Sequence, residues 1–256
     1  MSDLRLSQSP EALPAFLLRA GLMPQILREQ IIERAIGDIP CTEDEIAPAL
    51  QQFFQQHQVP TPEAQQDWLQ QWGMQLSDCV ALATRKLRLE KFKRITWGNK
   101  LQSYFLKRKA QLDQASYRLI RVADGGMAQE FYFRLQAGEQ SFAELAATYS
   151  QGPEAQTGGQ VGPVELATLH PQLARMLHVS QPGQLWHPVR LGEWWVIIQL
   201  DSLVPAQLTE FLQQRLLNEL FEAWLKEQIS RLSEAEQHWF GLPAPTPAPV
   251  QPAIAA

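Results

Sequence analysis

The segment FAELAATYSQGPEAQTGGQVGP, residues 142–163, joins a helix signal to a glycine-rich loop and a return to extended backbone. Ser141 followed by Glu144 is a capping box, which predicts a helix through FAELAATY. Gly158 and Gly159 end the loop, and paired glycines relax the restriction on φ and permit close backbone packing. The residues therefore predict a tight entry into a strand, although an ordinary flexible turn also fits them.

The patterns around this segment indicate a small mixed domain. SYRLIRV and WWVIIQL predict strands, and QVGPVEL predicts a weaker one. MAQEFYFRLQAG and HPQLARMLHV predict helices. The order strand, helix, helix, loop, strand, helix, strand predicts a compact α+β domain over residues 114–203, with a small sheet flanked by helices.

The rest of the chain is predicted to be helical. Residues 1–113 contain start signals such as the capping box that begins at Thr42 and Pro62 after Thr61. Residues 204–240 carry one apolar stripe, so we expect a helix that packs back on the N-terminal helices. The Pro/Ala-rich residues 241–256 cannot form a core, and we expect a disordered tail.

Composition limits the function classes. The chain has 256 residues, 45% of them hydrophobic, and a formal net charge of -5, so we expect globular domains and no dedicated nucleic-acid binding. The start, MSDLRLSQSPEALPAFLL, lacks the pattern of a secretory signal, and no window approaches the unbroken apolar length of a membrane span. These features predict a cytoplasmic location.

Metal or disulfide chemistry is not expected. Cys41 and Cys79 are too few and too far apart for a disulfide framework or a zinc site, so we expect free thiols. His57, His178 and His238 lie on predicted helix faces, and no histidine pair has the spacing of metal ligands. We expect no metal and no cofactor.

One basic run leaves an alternative open. RKLRLEKFKRITWGNK, residues 85–100, interleaves aromatic residues with charge and fits a site for nucleic acid or an acidic membrane surface. Residues 1–113, however, carry fourteen basic residues against thirteen acidic ones, which favours an ordinary solvated helix face.

An ordered set of segments resembles a known family. The strand RLIRVAD, the helix ending RLQAGEQSFAELAATYS, the GGQVGPV segment, the QPGQ turn, HPV and the closing strand WWVIIQL together resemble a parvulin-type peptidyl-prolyl isomerase domain. The flanking segments LQSYFLKRKAQLD and LLNELFEAWLKEQ resemble the helical chaperone part of SurA-like and PrsA-like proteins. The resemblance covers roughly residues 22–235 and is strongest over residues 117–200.

The resemblance implies a site for a proline ring. It places the ring pocket on Leu169, Leu173 and Met176, although ordinary helix packing also accounts for these residues. It places Gly159 at the border of the pocket. His170 and His187 would lie near its mouth, where either is a candidate donor to the substrate backbone.

The family's polar positions are not filled as expected. The first-strand histidine falls on Leu119, or on Arg118 if the strand slips by one residue, and the last-strand histidine falls on Val196. The Cys or Asp position falls on Gln160. The resemblance implies a prolyl isomerase that assists folding of unfolded or extended segments containing X-Pro. The alternative is a weak or inactive relative that acts as a holdase on extended Pro-containing or aromatic-rich segments.

Overall fold

The computed structural model describes residues 12–233 and residue 236. Its helices are α1 (Ala12–Arg19), α2 (Met23–Ile36), α3 (Glu43–Gln56), α4 (Pro62–Trp72), α5 (Leu76–Trp97), α6 (Leu101–Leu112), α7 (Gly125–Ala137), α8 (Phe142–Tyr149), α9 (Pro171–Val179) and α10 (Glu210–Ser230). Its strands are β1 (Gln114–Val122), β2 (Gln160–Glu165), β3 (Val189–Leu191) and β4 (Trp194–Val204). The predicted tail, residues 241–256, lies outside the described residues. None of the described helices combines the length and apolarity that a membrane crossing requires.

The chain divides into two compact units. One contains the described residues up to 101 together with the described residues from 214 onward, and the other contains residues 102–213. The second unit extends beyond the predicted limits of 114 and 203 at both ends. Hydrogen bonds tie its flanking segments together, because Asp113 accepts at Oδ1 from the Ala206 amide at 2.8 Å and at its carbonyl from the Leu166 amide at 3.0 Å.

The first unit is entirely helical within the described residues, and the predicted all-α domain built from the N-terminal and C-terminal helices is confirmed. The rings of Phe92 and Trp224 lie 5.2 Å apart, and the Trp97 ring contacts Phe221 at 6.4 Å. These aromatic pairs join α5 to α10 and bury the apolar stripe of the C-terminal helix.

The C-terminal helix is shorter than the predicted range of 204–240. It begins at Glu210 because Thr209 caps it, with the Thr209 hydroxyl accepting from the Leu212 amide at 3.3 Å. It ends at Ser230, and after a turn Ser233 exchanges hydrogen bonds with Glu236.

The second unit is built on a four-stranded antiparallel sheet in the order β2-β1-β4-β3. The long central pair aligns Leu119 with Ile198 and Arg121 with Val196. The sequence patterns predicted three strands, and β3 is additional. Its three residues are too few for a period of two to show.

Each face of the sheet carries its own core. On one face α9 packs over residues of β1 and β4, in a cluster that includes Tyr117, Leu119 and Leu200. On the other face α7 and α8 enclose Ile120 and Ile197, both fully buried. This alternation along the central strands confirms the predicted α+β class.

The glycine-rich loop is a packed entry into β2, as predicted. Gly159 has φ +86° and donates to the Glu154 carbonyl at 2.8 Å, while its own carbonyl accepts from the Leu119 amide at 2.8 Å. A Cβ on Gly159 would lie 3.0 Å from both Ala146 Cβ and the Leu119 carbonyl oxygen. Glycine is therefore required here by backbone conformation and by space.

Candidate functional site

The face of the sheet under α9 holds the surface on which the predicted proline pocket falls. Leu173 and Met176 turn inward from α9 and are only 6% and 8% exposed. Leu169, just before the helix, is half-buried and packs against the same cluster. The structure thus brings all three predicted ring-pocket residues to one apolar surface, in contact with the residues of β1 and β4.

A cleft of about 680 Å³ opens beside Leu169, on the outer side of α9. It is lined by Arg108, Ala110, Gln111, Leu166, Ala167, Leu169, Pro171, Ala174, Arg175, His178 and Val179. Leu173 and Met176 are not part of its lining. Within this unit the cleft therefore reaches the edge of the predicted pocket and not its centre.

The other predicted binding residues lie elsewhere. Gly159 faces α8, and the exposed His187 has its ring 4.5 Å from that of Tyr132, which belongs to the core on the opposite face of the sheet. His170 is exposed and caps α9, with Nδ1 accepting from the Gln172 amide at 3.3 Å. His187 thus packs against the core on the face of the sheet opposite to Leu173 and Met176, and the binding role of all three residues stays a prediction.

The three positions assigned to the family's polar groups have no acid or base. Leu119 and Val196 are buried in the apolar cluster, at 7% and 4% exposure. The Gln160 side chain is exposed at the start of β2, and the Gln160 carbonyl accepts from the Thr157 hydroxyl at 2.7 Å.

A polar network lies at the end of the sheet face that α9 covers, and it was not predicted from the sequence. Arg121 donates from Nε and Nη2 to the two carboxylate oxygens of Glu154 at 2.8 and 2.7 Å. Ser150 donates to the same carboxylate at 2.6 Å and accepts from the Arg121 amide at 3.0 Å. The Glu154 side chain is 2% exposed and that of Arg121 is 30% exposed. A Cβ on Gly152 would overlap both partners, so the loop closes directly over the ion pair.

The alternation of side chains along β1 could have predicted this network from the sequence. Arg121 is two residues from Leu119 and therefore lies on the same apolar face. A charged side chain in that position needs a buried partner of opposite charge, since an unpaired one is costly to bury. The loop between α8 and β2 offers one carboxylate, Glu154.

The network keeps Glu154 ionised. Burial by itself would raise the pKa of this carboxyl group, but the hydrogen bonds from Arg121 and Ser150 outweigh burial and hold the pKa below its ordinary value of 4.5. The folded state therefore favours the charged form, and the resulting stability is present above pH 4.5 and is lost as the pH falls through the lowered pKa.

Glu154→Gln is expected to lower the free energy of unfolding at pH 7 by about 2 kcal/mol, because it removes the charge from a buried hydrogen-bonded pair. The difference from the wild type should shrink as the pH is lowered below 4.5, since protonation then removes the same charge from the wild type. Urea unfolding of both proteins between pH 7 and pH 3 measures this. A difference that does not change with pH would contradict the assigned role.

The basic run in α5 is engaged by acidic groups and carbonyls of its own helical unit. Arg85 contacts Glu29 and Glu33, and Lys91 donates to Glu45 at 2.5 Å. Part of the charge that would attract a polyanion is therefore compensated within the fold, which favours the alternative of an ordinary helix face.

Comparisons with known proteins find similar segments. Residues 121–202 match the family model "Rotamase: PPIC-type PPIASE domain". The chaperone SurA of Shewanella frigidimarina is 31% identical over 114 residues, which are 41% of this chain and 26% of that protein. The chaperone SurA of Pseudomonas aeruginosa is 29% identical over 111 residues, which are 40% of this chain and 26% of that protein. The matched part thus spans about a quarter of the length of these curated relatives.

Solved structures include similar chains. The peptidylprolyl isomerase PrsA from Bacillus cereus is 19% identical, with a TM-score of 0.47, and the match covers 91% of this chain and 85% of that one. The parvulin domain of PpiD from E. coli is 26% identical, with a TM-score of 0.34, and the match covers 39% of this chain and 97% of that one. The family-model match begins inside β1 and ends inside β4, so it contains the glycine-rich loop, β2, α9 and β3. Residues 121–202 are therefore a PPIC-type peptidyl-prolyl isomerase domain, of the parvulin type, in a chain that also carries a helical unit.

Proposed function

We propose that the protein is a parvulin-type peptidyl-prolyl cis-trans isomerase that assists protein folding by acting on X-Pro bonds in unfolded or extended segments. The observation that carries the proposal is that the segment matched by the isomerase family contains α9, whose Leu173 and Met176 present an apolar surface over the central strands.

The chemistry demands little of the protein. Rotation about an X-Pro amide breaks no bond, and its barrier is about 18–20 kcal/mol. An isomerase therefore needs a surface that holds the proline ring and surroundings that favour the twisted amide over the planar forms. Leu119, Gln160 and Val196 supply no acid or base, so we infer that stabilisation of the twisted amide relies on shape and on neutral hydrogen bonds.

A holdase function is the second candidate, and a feature of the helical unit favours it. A continuous set of ring contacts, with centroid separations between 4.5 and 6.2 Å, joins Phe53, His57, Trp68 and Trp72. Trp72 is 63% exposed. Such an exposed aromatic surface suits apolar segments of an unfolded chain.

Two assays on the intact chain separate these functions. If the protein is an isomerase, it should shorten the time of cis-trans exchange in a panel of X-Pro tetrapeptides below the uncatalysed value of about 10–100 s. If it is only a holdase, it should suppress aggregation of an unfolded client and leave the exchange rate unchanged. Trp72→Ala, which lies outside the isomerase domain, should weaken suppression alone. Absence of acceleration on every peptide would refute the isomerase proposal.

A further inference from the structure

Tyr117 is a buried polar side chain on the face of the sheet that carries the proposed pocket. Its side chain is in the α9-facing cluster with Leu173 and Met176, and the residue is only 3% exposed. No group in the described part of the chain forms a hydrogen bond with its hydroxyl. Buried hydroxyl groups usually have a partner, because leaving one unpaired is destabilising.

The hydroxyl is not sealed inside the core. The hydroxyl oxygen of Tyr117 is not completely enclosed by the protein, so a small part of it is accessible from outside. A hydroxyl that is otherwise buried, without a partner and reachable from solvent is available to a ligand.

The electrostatic surroundings favour a neutral acceptor. Tyr117, Leu119 and Arg121 alternate along β1 and share one face. The Arg121 charge is compensated by both carboxylate oxygens of Glu154, so the pair offers little net attraction to an anion. Burial, partly offset by Arg121, raises the pKa of Tyr117 to about 12, and the hydroxyl stays a donor at neutral pH.

An X-Pro segment has one strong polar group at the bond that rotates. Proline has no N–H, so the carbonyl oxygen of the preceding residue is the acceptor nearest to the ring. We propose that the Tyr117 hydroxyl donates a hydrogen bond to this carbonyl oxygen while the proline ring lies against Leu173 and Met176. The proposal rests on the proposed function and adds the contact residue that the three apolar or exposed family positions do not supply.

The same geometry defines the ligand class. The neutral Tyr117 hydroxyl binds the peptide backbone, and the adjacent Arg121–Glu154 pair is charge-compensated. The side chain before proline therefore has no charged partner at this site. The site therefore takes neutral X-Pro segments at least as well as acidic ones.

Tyr117→Phe tests the contact because it removes only the hydroxyl. Tyr132→Phe is the matched control, since Tyr132 is 5% exposed and belongs to the core on the opposite face of the sheet. With succinyl-Ala-Ala-Pro-Phe-4-nitroanilide, Tyr117→Phe should lower kcat/KM about tenfold, and Tyr132→Phe should leave it near the wild-type value. Because the hydroxyl has no partner in the fold, Tyr117→Phe should unfold at the same or a higher urea concentration than the wild type.

Binding of the same peptide, followed by NMR titration, separates this inference from the proposed function. If the wild type binds the peptide without accelerating exchange, the isomerase proposal fails, and an affinity about tenfold weaker in Tyr117→Phe still supports the contact. The inference is overturned if Tyr117→Phe keeps wild-type rate and affinity, if its loss merely follows a loss of stability, or if the wild type does not bind the peptide.

Discussion

Replacement of Gly162 by alanine is expected to lower the free energy of unfolding of the α+β unit by about 4 kcal/mol. Gly162 has φ +110°, a region that side chains rarely adopt, and such strain costs about 1–3 kcal/mol. A Cβ at this position would also overlap the Ala115 carbonyl oxygen and lie 3.0 Å from Ser116 Cα. Both atoms belong to the backbone of β1, where the pairing with β2 shifts register, so they cannot move without disturbing the sheet.

Gly192→Ala is the matched control. Gly192 also has a positive φ, +63°, but nothing lies within 4 Å of the position that its Cβ would take. The control should therefore lose only the conformational part, about 1–2 kcal/mol. Urea unfolding of both variants gives the comparison. Equal losses of stability in the two variants would contradict the steric overlap expected at the β1–β2 junction.

Local signals in the sequence predicted the elements well where a side chain or a glycine decides the backbone. The Ser141 capping box is confirmed, with Glu144 accepting from the Ser141 amide at 2.9 Å. Gly73 and Gly138 end their helices in left-handed conformations, which glycine adopts readily. These features depend on neighbours within a few residues, which a single sequence contains in full.

The polar part of the site was not predicted, because its partners are distant in sequence. Arg121 and Glu154 are 33 residues apart and meet only when the loop folds over β1. Gly159 was assigned to the pocket from its place in the motif, and its close neighbours are Ala146 and Phe142 on α8 and the Leu119 carbonyl on β1. The face to which a loop residue points is set by tertiary packing, and strand periodicity predicts it only within the strands.

Leu173→Ala is expected to be the most damaging substitution for isomerase function among the predicted pocket residues. Truncating a buried leucine costs about 2–5 kcal/mol of stability through lost burial and the cavity left behind. If Leu173 holds the proline ring, kcat/KM for an X-Pro peptide should also fall about tenfold or more, since apolar contact with the ligand is lost. Urea unfolding measures the loss of stability. NMR exchange rates, corrected for the folded fraction, measure the loss of isomerase activity.

Leu177→Ala separates pocket contact from core packing. Leu177 lies one turn further along α9, belongs to the same cluster and is fully buried, so its truncation should destabilise the domain at least as much. It has no access to a ligand, and the exchange rate per folded molecule should stay near the wild-type value. A larger functional loss in Leu173→Ala than in Leu177→Ala supports the proposed pocket. Equal functional losses at equal folded fraction would mean that Leu173 is a core residue alone, and the proline ring would then have to bind elsewhere on the domain.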